Sequence, residues 1–212
     1  MGIKERKERE KTQRRNDLID AAERIFFTKG FESATMDAVA EEAEFSKATL
    51  YLYFKNKEDL YLAIIERGNM ILRKMFTNVL KRKVSGFEKI RAIGQAYCKF
   101  AKKHPDYFNA MMYFESAEFD RLLMESPFAQ ACYEQSHRIF EIVIEVLEQG
   151  VADGTVRADI DPNLVATILW AQSTGVLQIA HNRGDHLKSY HNVNPKKMID
   201  EMIELMGRSL KA

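Results

Sequence analysis

Residues Ser46 to Leu60 read SKATLYLYFKNKEDL. Three aromatic rings and Leu52 lie between lysines, on a segment with room for about two helical turns before Asn56 can cap another helix. A helix that short is not stable alone, so neighbouring elements must hold one of its faces. At about 100° per residue, Ser46, Lys47, Leu50, Tyr53 and Phe54 fall within about 60° of the Leu50 direction. Leu50 and Phe54 are therefore the expected anchors. Ala48, Thr49, Tyr51, Leu52 and Lys55 form an outward arc that is left for something else.

Helical spacing dominates on both sides of this stretch. Before it, Leu18, Ala21, Ala22, Ile25 and Phe26 repeat at helical intervals and predict a first helix that Gly30 stops. Thr35 is placed to cap a short second helix with Met36, Val39, Ala40 and Ala43 inward. Phe45 begins a tight turn, and Ser46 caps the third helix. After the stretch, Asn56 caps a long fourth helix, with Asp59 where a capping-box acid belongs. Three compact helices with a tight turn between the last two predict a helix-turn-helix.

The outward arc fits the chemistry of a duplex. Ala48 lets a backbone approach closely, and Leu52 needs an apolar partner such as a thymine methyl in a major groove that admits one helix. Hydroxyls of Thr35, Tyr51 and Tyr53 suit phosphate contacts, which fix register without reading sequence. Lys57, a cation in a helix's first turn, opposes the helix dipole unless an anion joins it. Taken singly, a tyrosine on a short helix packs against neighbours more often than it touches DNA. The joint placement of these residues carries the inference.

Bulk properties bound the reading. A hydrophobic fraction of 46% supports a real core, and a net charge of +1 leaves any anionic partner a local patch. The base-rich run Lys4 to Arg15 is interleaved with glutamates and reads as a solvated, partly frayed helix start. No apolar run reaches the roughly 18 residues of a membrane span, and the charged N-terminus is unlike a signal peptide, so a cytoplasmic protein without a membrane partner is expected. Cys98 and Cys132 lie far apart without a CxxC and read as small buried hydrophobes. No nucleophile elbow, P-loop, GxGxxG or HExxH occurs, so neither catalysis nor a bound cofactor is expected. His181, His186 and His191, spaced by five around Gly184, read as solvated loop histidines in preference to a metal site.

The run DLIDAAERIFFTKGFESATMDAVAEEAEFSKATLYLYFKNKEDLYLAII resembles the tetracycline-repressor (TetR) family of bacterial transcriptional regulators. The Gly30-Phe31 turn, Thr35, Ser46-Lys47, Thr49-Leu50-Tyr51, Tyr53-Phe54, Lys57-Glu58 and Leu60 fall where that pattern puts them. The resemblance covers about the first third of the chain. It implies a homodimer that binds a palindromic double-stranded operator, with the recognition helix inside Ser46 to Tyr53. It also implies phosphate contacts from Thr35, Lys47, Tyr51, Tyr53 and Lys57. Base contacts vary within the family, and the outward arc offers Ala48, Thr49 and Leu52. Two positions depart from the pattern. Glu44 stands where the family usually has a turn glycine, so either a non-glycine residue takes a positive φ or the turn differs. Ala48 stands where glycine is frequent.

The rest of the chain is helical too. Segments starting at Gly86, Ser126, Asp161-Pro162 and Asn194-Pro195 read as helices, the one from Pro105 is a short aromatic segment, and Asp161 with Pro162 combines a cap and a first-turn proline. Small residues (Ala166, Ala171, Ser173, Gly175, Ala180) and the apolar face of the last helix (Met198, Ile199, Met202, Leu205, Met206) suit a four-helix dimer interface. Tyr97, Phe100, Tyr107, Phe108, Met111, Met112, Tyr113, Phe114 and Trp170 are the candidate contacts for a small organic effector, each weighed against plain core packing.

The expectation is an all-α protein. Residues 1–56 would form the helix-turn-helix DNA-binding domain and residues 57–212 a helical effector-binding and dimerisation domain. Its function would be a repressor released from its operator by an apolar or amphipathic effector. The alternatives are an effector-independent DNA-binding protein of the same fold, or a helical interaction module or enzyme.

Overall fold

The computed structural model describes residues 2–114 and 126–212. Its helices are α1 (Ile3–Ser33), α2 (Met36–Glu42), α3 (Lys47–Tyr51), α4 (Lys57–Leu80), α5 (Gly86–Lys103), α6 (Pro105–Phe114), α7 (Pro127–Ala152), α8 (Pro162–His191) and α9 (Pro195–Leu210). Among the described residues the β-type pairing is a single bridge between Val156 and Lys211. The expected all-α class is observed.

Local chemistry sets most boundaries. Thr35 accepts a hydrogen bond from the Ala38 N–H, Ser46 from Thr49, Asn56 from Asp59, and Asp161 from Asn163 and Leu164. Asp59 reaches back one residue beyond the cap and accepts from the Lys55 N–H at 3.3 Å. Gly30 ends the regular part of α1 with φ +75° and ψ 165°, a conformation that a side chain disfavours, and one further turn follows to Ser33. At the other end α1 is longer than expected. It is helical from Ile3, with no frayed start.

The chain divides into two compact units. One comprises residues 1–69 and 106–134, the other residues 70–105 and 135–212. The helix-turn-helix unit does not end at residue 56, because the first turns of α4 are core to it. Leu60, Leu62, Ala63, Ile64 and Ile65 are buried in the same cluster as Leu18, Ala22 and Phe26 of α1, Val39 of α2, and Leu50 and Phe54. Residues of α6 and α7 complete this cluster: Ala110, Ala129 and Cys132 are buried in it, and Tyr107, Met111, Tyr113 and Phe128 pack against it. Polar groups then tie α6 to α1 from outside the apolar core. The Tyr107 hydroxyl donates to Glu23 at 2.7 Å and the Tyr113 hydroxyl to Glu32 at 2.5 Å, while Arg67 of α4 bridges Asp20 and Glu23 at 2.5 and 3.0 Å.

In the second unit, α5 and α7 meet where neither has a side chain. A Cβ on Gly86 would lie 2.2 Å from the Gly150 backbone nitrogen. Asp153 fixes this crossing by accepting from the Gly86 N–H at 2.8 Å, and Lys89 donates to Gln149 at 2.8 Å. The Tyr97 hydroxyl shares a buried hydrogen bond with Thr174 of α8 at 2.9 Å, and Arg91 pairs with Glu204 of α9.

The structure corrects the reading of the three histidines. His181, His186 and His191 lie in α8, exposed, and not in a loop. Gly184 does not end the helix; the chain passes through a distortion at Arg183 (φ −129°, ψ 18°) and stays helical to His191.

Candidate nucleic-acid interface

Leu50 and Phe54 are both fully buried and hold α3 to the core of its unit. Phe54 stacks obliquely on Phe128, with ring centroids 5.2 Å apart. The five residues of α3 thus turn their remaining side chains outward. Leu52 is 82% exposed and Tyr51 51% exposed, and Ala48 beside them is exposed. An apolar side chain as open as Leu52 gains nothing from the fold. With Ala48 and Tyr51 it makes the apolar, close-approach surface that the helical angles predict.

The other candidates carry more internal work than their spacing revealed. Thr35 is exposed and caps α2 with its oxygen, which leaves its hydroxyl proton available. The Ser46 hydroxyl caps α3 and shares a hydrogen bond with the Thr49 hydroxyl at 2.8 Å, so these two act as a pair. Lys47 forms an ion pair with Asp37 of α2 at 2.5 Å, both exposed, an interaction of the kind that surface salt screens readily. Tyr53 is half-buried against the core.

Lys57 differs most from expectation. Its ammonium donates to the carbonyls of Phe31 and Glu32 at 3.1 and 3.4 Å and lies 4.4 Å from the centre of the Phe31 ring. Where an unsatisfied first-turn cation was expected, the amine instead satisfies carbonyls exposed at the end of α1, just past the break at Gly30. Two of its three donors are spent there. Only a contact spanning 26 residues could have revealed this, and no local pattern carries it.

Glu44, in the turn between α2 and α3, has φ +56°. The turn keeps the geometry that favours glycine and imposes it on a glutamate.

The effector candidates fall in both units. Tyr107, Phe108, Met111, Met112 and Tyr113 belong to the first unit, whereas Tyr97, Phe100 and Trp170 belong to the second. Phe100 and Phe108 are buried. Trp170 is 37% exposed and meets the edge of Phe140. The Phe114 side chain lies outside the described residues. A groove of about 880 Å³ runs between α8 and α9, lined by Ala171, Gly175, Ile179, Met198, Met202 and Leu205 among others. None of the eight described candidates lines it. Neither cysteine is set up as a nucleophile: burial pushes the Cys98 thiol up to about 11 and the Cys132 thiol up to about 12. The Cys132 thiol also donates to the Leu62 carbonyl.

Two family models match this arrangement. Residues 18–64 match the model for bacterial regulatory proteins of the tetR family, and residues 90–206 match the tetracyclin repressor-like C-terminal domain. The chain belongs to the tetracycline-repressor family, a class of transcription regulators and not of enzymes. Among curated relatives, the HTH-type transcriptional activator FasR of Mycolicibacterium smegmatis is 33% identical over 88 residues, 42% of this chain and 40% of that protein. The HTH-type transcriptional repressor KstR2 of the same species is 24% identical over 152 residues, 72% of each. The solved structure of the transcriptional regulator FadR from Bacillus subtilis in complex with stearoyl-CoA shares the fold. Its TM-score is 0.71 at 16% identity, covering 91% of this chain and 97% of that one. The chain spans less than half the length of FasR. Among the described residues no helix is long and apolar enough to cross a membrane.

Proposed function

We propose that this protein is a sequence-specific DNA-binding transcriptional regulator, a repressor that leaves its operator when a small apolar or amphipathic molecule binds. The observation that carries the reading is the exposed arc of Ala48, Tyr51 and Leu52 on a capped helix whose anchors, Leu50 and Phe54, are fully buried. Ala48, Thr49 and Leu52 read bases. Thr35, Ser46, Lys47, Tyr51 and Tyr53 hold phosphates, and Lys57 adds its one remaining donor.

The DNA-reading side chains other than Lys57 lie within residues 1–56, which pack on the first turns of α4, and the remainder dimerises and senses the effector. Support for a homodimer comes from an apolar stripe on α8, where Leu164, Ile168 and Ile179 are exposed, and from exposed Leu205 on α9. Isologous pairing of such faces matches the two-fold symmetry of a palindromic operator. For the effector, Tyr97, Phe100, Trp170 and the aromatic and methionine residues of α6 are the proposed contacts. An amphipathic acyl thioester is the class to try first, since the FadR structure is described with stearoyl-CoA. Release is a population shift: the effector favours a conformation whose recognition helices no longer enter successive major grooves. α4, whose residues belong to both units, is the element that transmits it.

Selection from a random duplex pool tests the DNA-binding reading. A single enriched palindromic motif, bound with an affinity whose logarithm falls linearly with log salt, is expected. No enrichment over input would reject it. Trp170 is the chain's one tryptophan, so its fluorescence reports effector binding directly. Stearoyl-CoA is expected to change that emission and to lower affinity for the selected duplex.

A further inference from the structure

The first three turns of α1 form a surface that the helix-turn-helix does not account for. From Gly2 to Arg14 every described residue is exposed. At about 100° per residue, Lys4, Lys7, Lys11, Arg14 and Arg15 fall within an arc of about 100°, and Glu5, Glu8 and Glu10 all fall outside it. Leu18, Ala22 and Ile25 lie in the same arc further along. The face that packs into the core after residue 17 is thus continued backwards as a row of cations.

Two of the three acids nearby are occupied elsewhere. Glu10 pairs with Arg6 at 2.8 Å, and Glu5 accepts from the Gly2 N–H at 3.0 Å. Lys4, Lys7, Lys11 and Arg14 make no ion pair among the described residues. Lys7 and Lys11, like Lys11 and Arg15, are like charges at i,i+4, and Lys4 opposes the dipole of its own helix. Each of these arrangements disfavours the helix in isolation, and each reverses sign when an anion lies along the row.

Position selects the anion. The Arg15 guanidinium lies 5.9 Å from the centre of the Phe54 ring, 5.5 Å from that of Phe128, and pairs with Glu66 at 3.4 Å. Phe54 stands three residues after the end of α3. The basic row therefore leaves the module beside the end of the recognition helix. Residues 3 to 14 span about 18 Å of helix, comparable to roughly five base pairs of duplex, whose phosphates offer one charge per about 1.7 Å. A membrane surface fits less well, since Ile3 is the one aliphatic residue before Leu18 and no apolar face exists to insert.

We infer that the N-terminal turns of α1 are a second DNA contact, in which Lys4, Lys7, Lys11 and Arg14 hold the sugar-phosphate backbone of duplex flanking the site that α3 reads. This rests on the DNA-binding reading above and adds an interaction that carries no base specificity.

The test uses the full chain with Lys4, Lys7, Lys11 and Arg14 all changed to Gln, which keeps helix propensity and removes charge. Its probes are a 40-base-pair duplex carrying the motif selected by the wild type, and the same duplex trimmed to the motif alone. On the long duplex at about 0.1 M salt, the variant is expected to bind 10- to 100-fold more weakly, with a log-log salt slope shallower by about 3 per protomer. Its ranking of motif variants should be unchanged, and on the trimmed duplex it should equal the wild type. Equal affinity and slope on the long duplex would overturn the inference while leaving the reading by α3 intact. If the wild type enriches no motif, both fall. Vesicles containing about one-third anionic lipid are the third probe: wild-type binding to vesicles that the variant loses, with DNA affinity unchanged, assigns the row to a membrane and overturns it too.

Discussion

Glu44 and Lys57 show how single residues here carry costs and duties that their neighbours in sequence do not announce. At φ +56°, Glu44 holds a conformation that disfavours a Cβ by roughly 1–2 kcal/mol. Part of that is returned because glycine has more freedom to lose on folding. Glu44→Gly is therefore expected to raise stability by up to about 1 kcal/mol, read as a higher denaturation midpoint at unchanged m-value. A lower midpoint would mean that the Glu44 side chain contributes something its exposed position does not show. Lys57 is the converse case. Removing its ammonium leaves the Phe31 and Glu32 carbonyls without that donor and the Phe31 ring without its cation, so Lys57→Ala should cost about 1–2 kcal/mol. A stability equal to the wild type's, together with a reduced salt slope on DNA, would return Lys57 to a purely phosphate-binding role.

At the scale of elements, the sequence was legible where the interaction was local. Thr35, Ser46, Asn56 and Asp161 each bond an N–H two or three residues ahead, so side-chain chemistry and spacing suffice to find them. The division of α3 into anchors and outward arc follows from helical angles alone, and Leu50 and Leu52 fall on the two sides as expected. What stayed hidden depends on residues distant in the chain. The partners of Lys57, the Arg67 bridge to Asp20 and Glu23, and the docking of Tyr107 and Tyr113 on α1 span 25 to 84 positions. Gly184 misled because a glycine costs a helix only about 1 kcal/mol, which the rest of a 30-residue helix outweighs. Gly86 has the opposite character. Its missing side chain lets α5 meet α7, so Gly86→Ala should destabilise the chain by about 2–3 kcal/mol through overpacking against Gly150. Unchanged thermal unfolding would show that this crossing relaxes freely.

For the whole molecule, the apolar stripe of α8 is the feature that a lone chain leaves unexplained. Leu164, Ile168 and Ile179 are spaced along one helix face, exposed, and accompanied by exposed Leu205 on α9. Under the proposed dimerisation, Ile168→Asp with Leu205→Asp should shift the sedimentation of the protein from dimer to monomer at micromolar concentration while retaining its helical circular dichroism. A double variant that sediments with the wild type would place the interface elsewhere. Loss of the dimer should also weaken binding to a two-half-site palindrome far more than to one half-site, because the second site is then no longer bound at high effective concentration.

Operator recognition depends on α3 meeting a duplex with its outward arc, and the discrimination of a Leu52 variant tests that most directly. Affinities of wild type and Leu52→Ala would be measured for the selected duplex and for a scrambled one, at matched salt. The wild type should prefer its motif by about 10³-fold or more. Leu52→Ala should lose roughly 10-fold or more of that preference at the base pair it meets, with little change in binding to the scrambled duplex and thermal stability within about 0.5 kcal/mol of the wild type. Equal losses on both duplexes, or a wild type that shows no salt-dependent binding to DNA at all, would contradict it.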